Sequence, residues 1–246
     1  TSSFKSETVF FSPLVIYSWQ SLIPDLTSAG LVRTEDGVNY LDLDSLINLV
    51  QENKTWGDIN SNELRGRISI SSTDPSKSSS GNLFSALVLN SLLEKSGNTD
   101  LTPEVKLEIR DFFSKMGLLD DSSGDIFDKF LTLGRTTYPF VAGYESQIIE
   151  TINAGTDTSQ IAVLYPEPTV WAEHELISLN SNGDKFLDAM QDTEKFKTIA
   201  WDRYGLRMTG VGVDTSRYEN FGIAKELRSV APLPRVEVIE EVINLV

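Results

Sequence analysis

The densest run of hydrogen-bonding side chains is Ser71–Asn82 (SSTDPSKSSSGN), which lies between a β-rich segment and an amphipathic one. Within it the hydroxyls of Ser78, Ser79 and Ser80 are consecutive and precede Gly81. At a helix start, such residues can donate to a carboxylate or oxyanion, because the first amides lack partners inside the helix and its dipole favours negative charge. The same residues also suit a plain helix cap in a solvated loop. The run is too poor in glycine for a nucleotide loop and has no GxxxxGK[ST] pattern. Lys77 either adds charge to such a site or is an exposed loop lysine.

A second strand-to-helix junction carries Gly143–Tyr144–Glu145–Ser146. Tyr144 and Glu145 are placed to line a cleft, and Glu145 equally suits a first-turn carboxylate stabilised by the helix dipole. Tyr17–Ser18–Trp19 and Tyr165–Pro166 close two other strands; aromatics there suit a core, and a cleft between lobes would use both. Gly210–Val211–Gly212 is half of a dinucleotide fingerprint without its third glycine and reads as a turn. Asp120, Asp121 and Asp125 lack EF-hand spacing and read as a solvated acidic turn.

The rest of the composition removes whole classes of chemistry. With no cysteine and His174 as the one histidine, thiol catalysis, zinc–thiolate sites, disulfides and any two-imidazole site are excluded. No GxSxG or HExxH pattern occurs, and no carboxylate pair stands out, so an enzyme is not expected, nor a metal or cofactor. The formal charge of −15, from 21 basic and 36 acidic residues, repels nucleic acid. It does not forbid a small anionic ligand, because surface charge is screened beyond about 8 Å while amides and hydroxyls act at contact. No apolar run approaches a membrane span and no basic, apolar leader opens the chain, so export would imply a leader removed or lying outside it.

These side chains must be positioned by an alternation of strands and helices. Beyond a polar start at Thr1–Lys5, Thr8–Tyr17 reads as a strand, with Pro13 marking an edge or a bend. A short helix follows from Leu22 to Ala29, and Asp42 caps another with Leu43, Leu46, Ile47 and Val50 on one face. Arg67–Ser72 reads as a strand, then comes a helix through Leu83, Phe84, Leu87, Val88 and Leu92. Thr102 and Pro103 start the next helix, which ends at Gly117, and Ser123 caps a shorter one. Tyr138–Ala142 and Ile161–Tyr165 read as strands flanking a helix with Ile148, Ile149 and Ile152. Val170–Leu179 is extended. Gly183–Tyr204 supplies helix with Phe186, Leu187, Phe196, Ile199, Ala200 and Trp201 inward, and a terminal helix follows Pro234. The alternation implies an α/β protein with a mostly parallel or mixed sheet.

Taken together and in order, Pro13–Trp19 (PLVIYSW), Ile68–Phe84 (ISISSTDPSKSSSGNLF), Phe140–Glu150 (FVAGYESQIIE) and Leu164–Asn180 (LYPEPTVWAEHELISLN) resemble the bacterial extracellular solute-binding proteins of the type II periplasmic-binding-protein fold, nearest the sulfate- and molybdate-like branch. The resemblance implies two α/β lobes with mixed sheets joined by crossing strands. Residues 18–162 would form the second lobe, and residues 1–17 with 163–246 a partial first lobe lacking its N-terminal part. It also implies capture of a small, anionic solute in the interlobe cleft without chemistry, delivery to a membrane permease, and an extracellular or periplasmic location, with a membrane anchor possible in a longer chain. The ligand contacts implied are Ser18, Ser78, Ser79, Ser80, Gly81, Tyr144 and Glu145. A surface interaction module that keeps the fold without transport is the alternative.

Overall fold

The computed structural model describes residues 4–192 and 194–246. The polar start at Thr1–Ser3 and position 193 inside the expected helical stretch lie outside the described residues. In chain order the elements are β1 (Lys5–Trp19), α1 (Ile23–Ser28), β2 (Val32–Glu35), β3 (Val38–Leu41), α2 (Leu43–Gln51), α3 (Ser79–Ser96), α4 (Pro103–Met116) and α5 (Ser123–Leu133). They continue with β4 (Val141–Tyr144), α6 (Glu145–Asn153), β5 (Ile161–Pro166), β6 (Trp171–Ser178), α7 (Ser181–Asp192), α8 (Glu194–Tyr204) and α9 (Val236–Ile243).

The architecture hangs on β1. Its C-terminal half lies between β4 and β5 in a sheet ordered β2-β3-β5-β1-β4, and its N-terminal half pairs with β6, with one further bridge from Phe11 to Arg207. Pro13, opposite Trp171, is the last residue in register with β6, and Leu14, opposite Tyr144, is the first with β4. A residue with no backbone donor therefore stands where the strand changes partners, as a bend position requires. The chain returns the other way between β5 and β6, and Thr169 Oγ1 donates to the Leu14 carbonyl at 2.6 Å to hold the two crossings together. The sheet is mixed: β3 and β5 run parallel and the other pairings are antiparallel.

Leu14–Trp19 is buried on both faces, which explains its apolar character apart from Ser18. The large core gathers β1, β3, β4 and β5 with α2–α6, and Trp201, Val213, Tyr218, Ile223 and Val242 from the C-terminal part join it. Val9, Leu187 and Met190 form a separate small cluster under β6 and α7. α3 is buried around most of its circumference rather than along one stripe, as a central helix must be.

Several boundaries differ from expectation for identifiable reasons. Arg67–Ser72 forms isolated bridges, Thr55 to Arg67 and Ser71 to Val141, rather than a strand. β4 begins at Val141, not Tyr138, so Tyr144 ends the strand and caps α6. The cap of α5 is Ser122, whose Oγ accepts from the Asp125 amide at 3.1 Å, not Ser123. Phe186, Phe196 and Ile199 are partly exposed rather than inward; Leu187, Ala200 and Trp201 carry the burial. The β2–β3 hairpin was not anticipated. Its Asp36–Gly37 turn has φ of 50° and 79°, the paired positive values that an Asp-Gly hairpin adopts.

Candidate functional site

A cleft of about 940 Å³ opens beside the crossing of β1. One wall comprises the loop before α3 (Lys77, Ser78), Ser79 and Asn82 in its first turn, Ser122 and Ser123 at the start of α5, and Tyr144 and Ser146 at the start of α6. The other is β6, with Trp171, Ala172, Glu173 and His174.

Hydrogen bonds between distant segments hold the first wall. The Asp74 amide donates to the Asp120 carbonyl at 2.8 Å, and the Lys77 and Ser78 amides fold back onto the Asp74 carbonyl. The Asp74 carboxylate accepts from the amide and hydroxyl of Ser76, and the hydroxyl bond above all lowers its pKa. Lys77 Nζ donates to Asp121 at 2.8 Å and lies 3.5 Å from Asp74. Its pKa is raised chiefly by the Asp121 bond, so this lysine is already committed to carboxylates. Gln147 joins α6 to α5: its Oε1 accepts from the Tyr144 amide at 2.9 Å and its Nε2 donates to the Ser123 carbonyl at 2.9 Å.

Ser78 occupies the N-cap position of α3 but makes no capping bond. Its hydroxyl shares a hydrogen bond with Ser80 Oγ at 2.9 Å, and Ser80 in turn pairs with Thr73 Oγ1 at 2.7 Å. The first amides of α3 therefore have neither an intrahelical acceptor nor a side-chain cap. Ser79 is exposed in front of them. The Tyr144 phenol is half-buried, and desolvation pushes its pKa up to about 12 against a smaller opposing effect of Ser80. It therefore remains a neutral hydrogen-bonding group through the physiological range.

The structure brings Ser78, Ser79 and Tyr144 into the cleft and separates the other expected residues from it. Ser80 is buried and acts behind Ser78. Gly81 is buried, and a Cβ there would lie 2.2 Å from the Thr73 carbonyl oxygen, so the glycine permits α3 to press onto its preceding loop. Ser18 has no exposure and donates to the Pro139 carbonyl at 2.9 Å. Glu145 is likewise fully buried. It accepts a two-pronged bond from Arg207 at 2.7 and 2.8 Å and a third bond from the Tyr165 hydroxyl at 2.5 Å. Arg207 also donates to the carbonyls of Ala224 and Lys225, at 2.5 and 3.0 Å, and sits 5.2 Å from the Trp201 ring centre. Burial opposes the Arg207 charge, but Glu145 outweighs it and its pKa is raised; burial drives that of Tyr165 well up. Of the two open readings of Glu145, the structure places it in the first turn of α6 and away from the cleft, and adds a buried ion pair with Arg207.

Trp171, Glu173 and His174 were not among the expected contacts, although the family segment that contains them was. Their strand pairing with β1, not any local motif, brings them opposite α3. Among the described residues no group of three His, Asp or Glu side chains is arranged to hold a metal, and no helix is long and apolar enough to cross a membrane.

This arrangement, a long strand shared by two sheet regions with a cleft at its crossing, is that of the type II periplasmic-binding-protein fold, and solved structures agree. A periplasmic thiamin-binding protein superposes at TM-score 0.60 with 12% identity, covering 100% of this chain and 67% of its own. Ferric iron-binding protein A of Mannheimia haemolytica, in an open conformation, superposes at 0.60 with 10% identity over 98% of this chain and 68% of its own. An ABC transporter protein from Clostridium perfringens superposes at 0.59 with 13% identity over 98% and 67%. The chain thus spans about two thirds of the length of these neighbours, and at such identities the likeness shows the fold. No family model and no curated protein matches the sequence.

Proposed function

We propose that the chain is a solute-binding protein of the ABC-transporter type, which captures a small anionic solute in the cleft between α3 and β6 and presents it to a membrane permease on the periplasmic or extracellular side, without chemistry. The observation that carries this reading is the uncapped start of α3 at a cleft whose opposite wall hangs from the same strand. Amides of Ser79 and its successors, with the hydroxyls of Ser78, Ser79 and Tyr144, supply donors to an oxyanion or carboxylate. Lys77 is neutralised by Asp121 and Asp74, and Glu173 on the far wall forms no ion pair among the described residues, so a singly charged anion suits the cleft better than a polyanion.

In this reading the lobe expected at residues 18–162 takes in Leu14–Pro166, because Leu14–Trp19 pairs with β4 and β5, and the chain before and after those crossings contributes to the other, which centres on β6, α7 and the cluster around Val9. The crossings at Pro13 and after Pro166 act as the hinge. Placement near the sulfate- and molybdate-like branch rests on the sequence segments; the thiamin- and iron-binding neighbours indicate that this scaffold accepts unlike ligands. Isothermal calorimetry with sulfate, phosphate, molybdate and small carboxylates tests the proposal. At least one should bind, and the double variant Ser79→Ala/Tyr144→Phe should weaken it; heat from none of them would sink the reading.

A further inference from the structure

A second cavity, of about 590 Å³, shares Trp171 with the cleft but has a different character. Its walls include Phe11, Trp171, Val211, Val213 and Leu227, with the buried Arg207 behind them. Phe11 and Trp171 meet edge to face, their ring centres 5.9 Å apart. The Arg207 guanidinium is committed to Glu145 and two carbonyls and is not offered to a ligand. The remaining wall is the backbone of residues 208–213, the stretch whose Gly210–Val211–Gly212 reads from sequence only as a turn.

That backbone is unusually open. Val211 donates to the Met208 carbonyl at 3.3 Å, while the amides of Thr209, Gly210, Gly212 and Val213 donate to no described residue. Gly210 needs its glycine for a φ of 70°, but Gly212 does not: its φ is ordinary and a Cβ would meet nothing within 4 Å. A glycine that neither turn geometry nor packing demands leaves its amide accessible to close approach. At the rim stand Lys225 and Glu226; neither is in an ion pair among the described residues, and the Lys225 charge also reaches Asp214, whose pKa is lowered chiefly by its bonds from Ser216.

We propose that this cavity is a second binding site, for a small aromatic monocarboxylate whose ring lies against Phe11, Trp171 and Leu227 while its carboxylate accepts from the free amides among Thr209, Gly210, Gly212 and Val213 and faces Lys225. The size lies within the range of small-ligand pockets. The apolar walls disfavour a fully hydrated inorganic anion, which would be desolvated without enough partners. The unpaired amides favour a ligand with an acceptor over a pure hydrocarbon. The site differs from the α3 cleft in its donors and does not depend on the cleft's function.

The test is titration of the full chain with phenylacetate, followed by amide chemical shifts of residues 209–213 and by tryptophan fluorescence, with acetate as the comparison. The expected result is saturable binding of phenylacetate, with shifts centred on Gly210–Val213 and at least about tenfold weaker binding of acetate. Val211→Trp, which fills the cavity, should abolish binding, and Gly212→Val, which has room to fold but shields the amide, should weaken it about tenfold. Lys225→Gln should weaken and Glu226→Gln strengthen binding, each by roughly fivefold at low salt. Thermal melts of each variant separate lost binding from lost folding. Equal binding of acetate, shifts centred on Ser79 instead, or affinity unchanged in folded Val211→Trp and Gly212→Val variants would each overturn the proposal, as would no saturable binding.

Discussion

Tyr144 and Glu145 are neighbours in the chain and sit in opposite worlds. Tyr144 ends β4 at the cleft wall as a neutral donor; Glu145 starts α6 facing inward, tied to Arg207 and Tyr165 with no exposure. The same contrast recurs in α3, where Ser79 faces out and Gly81 is pressed onto the Thr73 carbonyl. At both junctions one residue belongs to the cleft and another one or two positions on belongs to the frame. The lesson is that a polar residue at a strand-to-helix junction is not functional by address. A buried charge that is fully paired stabilises or specifies the fold, whereas a half-buried neutral donor with spare capacity is available to a ligand.

The sharpest way to break this comparison is to alter Glu145. Glu145→Ala should destabilise the fold by about 3–5 kcal/mol, because it strands the buried Arg207 charge, and adding Arg207→Met should recover much of the loss. Urea melts measure both; a loss under about 1 kcal/mol would place Glu145 outside the frame. Gly81→Ala comes next, at roughly 1–3 kcal/mol, since its Cβ collides with backbone that cannot swing aside. Ser79→Ala and Tyr144→Phe should reverse the pattern. Each should change stability by less than about 1 kcal/mol and weaken the captured solute up to about tenfold in calorimetry. A large stability loss from Tyr144→Phe, with affinity untouched, would erase the distinction.

The smallest effect in the ordinary range is with pH. Burial raises the pKa of Tyr144 to about 12 and drives those of Tyr17 and Tyr165 well above the usual 10. Each phenol holds its proton more tightly folded than unfolded. The stability this contributes is complete below about pH 10 and declines as pH rises from there through the folded values. Melting temperature should therefore be insensitive to these groups near neutrality and fall above about pH 10, and Tyr17→Phe should make that fall shallower.

Much of the frame was legible along the chain. Asp42 and Thr102 cap α2 and α4 as their spacing implies, with bonds to the amides of Ser45 and Val105 at 2.9 and 3.4 Å. The apolar run of β5 and the helical spacing in α4 and α6 needed only local periodicity. The site was legible in part: the serine run was recognised as a helix start, and the structure adds that Ser78 and Ser79 face the cleft while Ser80 and Gly81 support them. Ser18 stands out in sequence as a hydroxyl at a strand end, yet the packing of β1 between β4 and β5 leaves it no solvent.

The sequence alone determined the alternation of strands and helices, the start of α3 at a hydroxyl-rich loop, and the absence of thiol or multi-histidine chemistry. These follow from residue types and from interactions within a few positions. Only the tertiary structure decided which of those hydroxyls meet solvent, that Glu145 pairs with Arg207, and that Trp171, Glu173 and His174 face α3. Each of those outcomes depends on contacts between segments far apart in the chain, and burial, which sets whether a polar group is spent or free, is a property of the assembled fold.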